Sequence, residues 1–471
     1  MKTDLDQTHR QASSLLIGSA AKWPLAGLLL IGLALLQASQ AATFTVTNTS
    51  GSEATVGSLP WALYQAWYNS PGSDTVNFNI PGAGPHYITL QTSIPLAVGD
   101  KDQKSGVVID GTTQPGYSGS PLVVIDANGL VTAFNVTAYN SRIKGLGIYN
   151  FSTVGIALLD QGDRTGRHFV DGCWIGFKQV GSSYDKNTDL GHSLSIGIAA
   201  EVPYNVITNN TISGVYNGIA IGADPVIDPS SSSDYWISHS NYISNNRIGT
   251  TPDGTAVIGN LSDGVFLGNG ATYNHIAYNT IGGNASAGVE LLGASGVVNY
   301  IYGNFIGVGA DGSNIGNGEL GVLAANRSNN NYTGAWVANY VYYNSLGGIA
   351  IGLESPASGT TGDAHYNTIS YNVIYANNDG AGNGVGVSIT GGSWLGLVQG
   401  NNIFGHSQHG VIVSNAYNNW VTENWLGYYV ANYGYGVYTQ YSSGNVVTQN
   451  NYGTNWLGST GSYQSADYIL D

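Results

Sequence analysis

Charged side chains are scarce in this sequence. Asp, Glu, Lys and Arg make up 9% of the 471 residues, against roughly 25% in ordinary globular proteins. The charges present are mostly acidic and give a formal net charge of −15 at pH 7. Such a surface has no basic patch, so we expect neither nucleic acid nor an anionic surface as a partner. Solubility must come from Asn, Ser, Thr, Tyr and Gly instead.

Cysteine is almost absent too, because Cys173 is the only one. A single cysteine excludes an internal disulfide and a paired-cysteine zinc site, and we expect Cys173 to be a small buried residue. The sequence also shows no phosphate-binding loop and no serine-centred nucleophile elbow. We therefore predict no cofactor and no required metal.

Long apolar runs are missing except for one near the start. The stretch "KWPLAGLLLIGLALLQASQA" places Lys22 before an apolar run and ends in the small residues Ser39 and Ala41, which is typical of a cleaved signal peptide. The run is short for a membrane span and no second one follows. We predict a signal peptide over 1–41, a mature chain without a membrane span, and a secreted protein at the cell surface or outside, with the periplasm as an alternative.

What the sequence does contain is a repeat of Asn, any residue, Ile or Val, two of any residue, and Asn. Nine copies begin at positions 205, 241, 274, 299, 339, 367, 396, 419 and 445, among them "NHIAYN", "NYIYGN" and "NYVYYN", and the copy at 396 has Gly in place of the first Asn. A second short apolar element follows most copies, as in "GIAI" at 218 and "GVEL" at 288. Apolar residues two apart predict short strands, and the Gly and Asn between them predict turns. The shortest spacing, from 396 to 419, is about one turn of a three-sided β-solenoid.

In this interpretation each coil buries one row of Ile, Val or Leu and pairs its backbone with the coils on either side. Asn at the same place in successive coils can form side-chain amide ladders, and it tolerates the left-handed backbone of sharp corners. The repeat resembles that of right-handed parallel β-helix proteins of the pectate-lyase-like superfamily. The resemblance implies an all-β, single-stranded, three-sided solenoid of about 11 coils. It indicates fold more strongly than function.

The resemblance also suggests a domain order. An amphipathic helix near 57–69, followed by strands, resembles the N-terminal cap of bacterial secreted β-helix proteins, so we assign 42–105 to a cap and 106–471 to the repeat domain. A helix over the first coil would cover its open edge. No similar cap is evident at the other end, and this suggests head-to-tail self-association through uncovered strand edges.

Equivalent residues of successive coils should form lines along the solenoid. The outward position after the first Asn of the repeat is aromatic in Tyr242, His275, Tyr300 and Tyr340, and again in Trp420. Such a row can stack on sugar rings. It can equally be a ladder that only stabilises the contact between coils.

Carboxylates are the groups that a glycan-cleaving enzyme needs. Asp263 and Glu319 precede the second strand of their coils, with Glu290 in the coil between. Two coils correspond to roughly 10 Å, near the carboxyl spacing of inverting hydrolases, and one coil is closer to the retaining spacing. These three residues are the candidate catalytic groups, although near-alignments of acidic residues also arise by chance on a solenoid.

Other charged segments give weaker indications. The stretch 158–172 is rich in charge and holds Arg164, Arg167 and His168, which could supply the cation and base of a lyase or form a solvated loop. Fragments "RIK", "NTD" and "GHSLSIG" echo polygalacturonase motifs, but their order along the chain differs from that family. Asp253 and Asp311 lie in two similar loops without the Asp spacing of a calcium site.

Two functions remain open. The first is a secreted or surface-exposed β-helix protein without catalysis, which binds a polysaccharide or cell-surface glycan, or serves in adhesion or extracellular structure. The second is an enzyme, a glycoside hydrolase or less plausibly a polysaccharide lyase, that acts on a neutral or weakly charged glycan.

Overall fold

The computed structural model describes residues 41–68, 73–96, 106–159, 166–222, 238–268, 271–293, 298–353, 362–377, 384–453 and 468–469. Except for Ala41, the predicted signal peptide lies outside these residues. Within them, no helix is both long and apolar enough to span a membrane.

Three long parallel sheets run along the molecule, and the chain visits them in a fixed order, one strand of each per winding. In the described part of the chain, sheet 1 has 14 strands. They are Thr43–Val46, Thr75–Phe78, Val108–Asp110, Arg142–Lys144, Phe169–Asp171, Val206–Thr208, Tyr242–Ser244, His275–Ala277, Tyr300–Tyr302, Tyr332–Gly334, Thr368–Ser370, Leu397–Gln399, Trp420–Thr422 and Val446–Thr448.

Sheet 2 follows sheet 1 in each winding and has 13 strands. They are His86–Thr89, Val123–Asp126, Leu146–Tyr149, Trp174–Ile175, Thr211–Ile212, Arg247–Ile248, Thr280–Ile281, Phe305–Ile306, Tyr340–Tyr342, Val373–Tyr375, Asn402–Phe404, Trp425–Leu426 and Asn451–Tyr452.

Sheet 3 completes the winding and also has 13 strands. They are Ile94–Leu96, Thr132–Val136, Val154–Leu158, Ile196–Ala200, Asn217–Ile221, Val265–Leu267, Val289–Leu292, Leu320–Ala325, Gly347–Ile351, Val385–Ile389, Val411–Ser414, Val437–Gln440 and Tyr468–Ile469. The molecule is therefore an all-β, right-handed, single-stranded parallel β-helix, which confirms the predicted fold. The windings outnumber the predicted 11 because strands from Thr43 onward already join the same sheets.

The core is one continuous apolar cluster inside the solenoid. Ile207, Ile243, Ile276 and Ile301 pair in register on successive strands of sheet 1 and are fully buried. Burying a side chain of this size stabilises the fold by about 1.5–3 kcal/mol. The predicted column of isoleucines is confirmed.

Three asparagine ladders bind the windings together at the three corners. In each ladder the side-chain amide and the backbone N–H of one Asn donate to the side-chain oxygen of the Asn in the next winding, as from Asn274 to Asn299 and from Asn279 to Asn304. The third ladder includes the bond from Asn284 to Asn317. The repeated Asn residues are therefore buried structural groups, satisfied within the protein.

The N-terminal helix Leu59–Tyr68 confirms the predicted cap helix. Its buried residues are Leu59, Ala62, Leu63 and Ala66, the spacing of one helix face. The Ser58 hydroxyl accepts from the Trp61 N–H and caps the helix. The helix packs on the first two strands of sheet 1, which covers the edge of that sheet.

Corner lengths differ among the three corners. Between sheets 2 and 3 the chain inserts an antiparallel hairpin, Phe177–Val180 with Ser183–Lys186, and two small flaps closed at Thr250–Val257 and Val308–Asn314. Between sheets 1 and 2 the corner is two residues long in every winding from strand Phe169–Asp171 to strand Val446–Thr448, with one exception, residues 335–339. That exception positions the site described next.

Candidate functional site

The outer face of sheet 1 carries two rows of side chains, one on each side of the buried isoleucine column. Tyr242, His275 and Tyr300 pair in register in the first row, as predicted. The His275 and Tyr300 rings stack with centroids 4.8 Å apart. The row continues to Tyr332, whose ring stacks on Tyr300 at 5.7 Å.

The prediction for Tyr340 is wrong. Its strand pairs with Phe305 and Val373 in sheet 2, so Tyr340 lies on a different side of the solenoid. The physical reason is that Asn339 belongs to the ladder of the next corner, where it accepts from Asn304. The repeat copy at 339 was assigned to the wrong sheet, and Tyr332 occupies the place in the row that was given to Tyr340.

Trp336 is the residue that the sequence interpretation missed. It lies in the one long corner between sheets 1 and 2, and its ring stacks on Tyr300 at 4.5 Å and on His275 at 5.8 Å. It also meets Tyr302 edge-on at 5.1 Å. A sequence signal existed, because the two Asn of this winding, Asn331 and Asn339, are farther apart than in the other copies.

Trp336 supplies the exposed aromatic face of this cluster. Its side chain is 59% exposed, whereas His275 and Tyr300 are half-buried beneath it. Burial raises the pKa of Tyr300 and lowers that of His275, so both rings are neutral near pH 7. The cluster formed by Tyr242, His275, Tyr300, Tyr332 and Trp336 is called the Trp336 site below.

The outward strand positions around this site carry no charge. From strand Val206–Thr208 to strand Val446–Thr448, none of the outward positions of the sheet 1 strands holds Asp, Glu, Lys or Arg. The predicted Trp420 lies in the same row, 39% exposed. By contrast, earlier strands carry Asp110, Lys144 and Asp171. An uncharged face with exposed rings suits a neutral ligand that offers apolar area and hydroxyl groups.

The three candidate carboxylates lie in one network at the corner that leads into sheet 3. The side chain of Asp263 is hydrogen-bonded to Glu290 in the next winding. It also accepts from the backbone N–H of Ala287 at 3.0 Å. Ser286 contacts Asp263 and donates its hydroxyl to Glu319 Oε2 at 2.9 Å. The structure thus brings all three carboxylates together.

Burial is the main electrostatic influence on Asp263. It raises the pKa of the carboxyl group of this side chain. Glu290 points outward from sheet 3, between Phe266 and Leu323 of the neighbouring windings.

The charged segment 158–172 provides no matching site among its described residues. His168 is buried, its Nδ1 accepts from the Ser141 N–H, and burial lowers its pKa to about 4. The Arg167 guanidinium lies over the Tyr204 ring at 5.3 Å. Residues 160–165, including Arg164, lie outside the described part of the chain. The imidazole that a lyase would use as a base is therefore a core group.

The two loops with Asp253 and Asp311 are closed by their own hydrogen bonds. Asp253 accepts from Thr251, and Asp311 accepts from the Ser313 N–H at 3.0 Å. No group of three or more His, Cys, Asp or Glu residues suited to a metal ion occurs in the described part of the chain. Cys173 is buried, and burial raises its pKa to about 12, as fits an inert thiol.

Comparison with known proteins identifies the architecture. No family model and no curated protein matches the sequence. Among solved structures, the Dettilon tailspike protein is 16% identical with a TM-score of 0.51, over 87% of this chain and 66% of the tailspike. A single-site mutant of the periplasmic alginate epimerase AlgG is 13% identical, with a TM-score of 0.45 over 93% and 99% of the two chains. DFA-IIIase from Arthrobacter chlorophenolicus A6 is 11% identical, with a TM-score of 0.43 over 89% and 99%.

The likeness to the tailspike concerns the fold alone. The three parallel sheets define this chain as a right-handed parallel β-helix.

Proposed function

We propose that this protein binds a neutral polysaccharide or a neutral cell-surface glycan through the outer face of sheet 1. The observation that carries the proposal is Trp336. Among the described windings from strand Phe169–Asp171 to strand Val446–Thr448, one alone departs from the two-residue corner between sheets 1 and 2. This winding places an exposed indole over His275 and Tyr300. A structural ladder needs no such insertion, whereas a sugar-binding platform needs an accessible ring.

The charge distribution supports a neutral ligand. The outward positions of the sheet 1 strands around Trp336 hold no charged side chain, and the whole protein is acidic. A uronate polymer would be repelled by the net charge and would find no cation on this face. A neutral glycan needs only ring contacts and hydrogen bonds, which Tyr and Asn supply.

The test is binding of neutral polysaccharides to the wild type and to Trp336→Ala, by affinity electrophoresis and titration calorimetry. Losing an aromatic platform costs on the order of 1–2 kcal/mol, a factor of about 5 to 30 in Kd. Trp425→Ala is the matched control, because Trp425 is 44% exposed but lies in sheet 2. Equal binding by wild type and Trp336→Ala would show that the Trp336 site is not the binding site.

The second candidate function is hydrolysis of the same class of glycan, and the carboxylate network favours it. Asp263, with its raised pKa, would be the general acid, and Glu290 and Glu319 would be candidates for base or nucleophile. The test is a polysaccharide screen that reads both reducing ends and unsaturated products. We expect the triple Ala variant at these positions to lose hydrolysis, whereas Glu423→Gln, an exposed carboxylate bonded to Gln399, keeps it. Full activity in the triple variant would remove these residues from the mechanism.

We further propose that the mature protein acts outside the inner membrane, since the predicted leader over 1–41 would direct export. Head-to-tail self-association through strand edges is part of the same proposal. Electron microscopy of the purified mature chain is the check, and a field of single monomers at high concentration would speak against assembly.

A further inference from the structure

A second aromatic site lies at the corner that leads into sheet 1, several windings from Trp336. The Trp394 ring is 37% exposed and contacts His365 at 5.0 Å and Tyr366 at 5.2 Å between centroids. Tyr366 is itself 46% exposed. Its φ of +57° places it in the left-handed region, which a tyrosine adopts only at an energetic cost. The four residues Asp363, His365, Tyr366 and Trp394 are called the Trp394 site.

The Trp394 site also has polar groups beside its rings. His365 Nε2 lies 3.0 Å from Asp363 Oδ2. The other polar atoms of the pair, Asp363 Oδ1 and His365 Nδ1, are buried and have no hydrogen-bond partner in the described structure. A buried polar atom without a partner is costly and is uncommon in folded proteins. Because these two atoms are shielded from solvent, the exposed rings of Trp394 and Tyr366 are the part of the site that a ligand can reach.

The two sites are three windings apart along the solenoid. Trp336 starts from the corner that leaves sheet 1 and rests on Tyr300. Trp394 lies at the corner that enters sheet 1, before strand Leu397–Gln399, which is three sheet 1 strands farther along. Three windings correspond to roughly 14 Å. The outward residues between them on sheet 1, such as Thr368 and Ser370, carry no charge. One uncharged surface therefore joins the sites.

From this arrangement we infer that the ligand is a long, neutral glycan chain that extends over three windings of the outer face of sheet 1 and contacts the Trp336 and Trp394 sites at once. The inference rests on the proposed function and specifies its ligand. A strand of sheet 1 is about 10 Å long. The nine sheet 1 strands with uncharged outward positions, from Val206–Thr208 to Val446–Thr448, extend over roughly 40 Å in the direction of the solenoid axis. Only the long dimension accommodates an extended polymer. Two linked contacts then bind much more tightly than either one alone.

The experiment uses the polysaccharide that binds the wild type and a series of its oligosaccharides from two to twelve sugars. Kd is measured for the wild type, Trp336→Ala, Trp394→Ala, the double variant and the control Trp425→Ala. We expect wild-type affinity to rise at least tenfold between the shortest oligosaccharides and those long enough to span both sites. Each single variant should lose this gain and bind long and short chains alike, and Trp425→Ala should match the wild type. His365→Ala should weaken the binding of long chains without changing that of the shortest.

The outcomes separate the two proposals. Binding that depends on Trp336 but neither on Trp394 nor on chain length would overturn this inference and leave the proposed function standing. No binding of any neutral polysaccharide by the wild type, or binding unaffected by Trp336→Ala, would overturn both. Circular dichroism and melting curves identify any variant that fails to fold. For such a variant, Trp336→Phe or Trp394→Phe replaces it and should restore most of the length dependence.

Discussion

The asparagine ladders give the sharpest prediction about stability, and Asn279 in the middle of one ladder is the best place to test it. Its side-chain oxygen accepts from the backbone N–H and from the side-chain amide of Asn246, at 2.9 and 3.0 Å. Its own amide donates to the Ile243 carbonyl at 2.9 Å and to Asn304 at 3.0 Å. Asn279 is completely buried, so water cannot replace these partners.

Replacing Asn279 by Ala orphans groups in two neighbouring windings. The Asn246 N–H and the Ile243 carbonyl lose their partners, at about 1–3 kcal/mol each, and the lost side-chain bonds add to this. We expect a total loss of about 3–6 kcal/mol. Because a solenoid is held by contacts between neighbours, the loss should appear as local opening around Asn279 rather than as uniform destabilisation.

Hydrogen exchange read by mass spectrometry measures this opening, together with urea unfolding. Exchange should increase in the windings from Ile243 to Asn304 and stay unchanged in distant ones. Asn450→Ala is the control. Asn450 makes the same kinds of hydrogen bond, to Asn424 and to the Val421 carbonyl, but it is only partly buried and lies near the end of its ladder. Water can replace part of these bonds, so we expect a clearly smaller loss than for Asn279→Ala. Equal losses in the two variants, or faster exchange along the whole chain, would refute the cooperative role of the ladder.

Three more predictions follow from buried or crowded groups. His406 is fully buried, and burial lowers its pKa to about 4. Because the same side chain takes up a proton near pH 6.5 in the unfolded chain, its contribution to the free energy of unfolding falls by up to about 3 kcal/mol between pH 6.5 and 4. The melting temperature of His406→Asn should therefore decrease less than that of the wild type over this range. Gly303→Ala should destabilise more than Gly181→Ala, because both have positive φ but only the first Cβ would meet a neighbour, the Tyr278 ring at 2.7 Å; urea unfolding compares them. Because the pKa of Asp263 is raised in the folded state, its contribution to stability is greatest below the unfolded pKa of about 3.9 and falls as pH rises through the folded pKa. The melting temperature of Asp263→Asn should therefore rise relative to that of the wild type from pH 4 to 8.

Each of these predictions has a clear contrary result. Parallel melting curves of wild type and His406→Asn would show that the imidazole is protonated in the folded state. Equal losses in the two glycine variants would mean that backbone conformation alone decides the cost. A constant difference between Asp263→Asn and wild type across the pH range would contradict the raised pKa.

The solenoid was predictable because the contacts that stabilise each winding require the same residue types at the same positions. Ile or Val must face the interior, and a buried Asn must meet its equivalent in the next winding, so both recur in the sequence at fixed places. Ile276, Asn274 and Asn279 were assigned correctly from pattern alone. His406 did not fit that pattern, although its ring nitrogens lie near the carbonyls of Ile374 and Asn377, much as a ladder amide would.

The candidate sites were less predictable because they depend on departures from the repeat. Trp336 lies in an insertion that shifts the register, and both Tyr332 and Tyr340 follow an Asn and precede a buried residue, so pattern matching alone chose the wrong one. Counting residues between Asn331 and Asn339 would have distinguished them. The contact of Asp263 with Glu290 depends on side-chain reach across windings, which backbone spacing does not specify.

Where all three ladders run unbroken, as in the winding that begins at Asn274, a winding ends with the same three amide connections with which it began. Such a winding is the natural unit of growth. The segment 274–298 can be copied or removed whole with the ladders still matched, whereas a deletion of part of it would leave ladder residues without their equivalents. Protein engineers could therefore adjust the length of the rod in steps of about 5 Å. Inserting windings between Trp336 and Trp394 would increase the distance between the two aromatic sites by a known amount for each added winding.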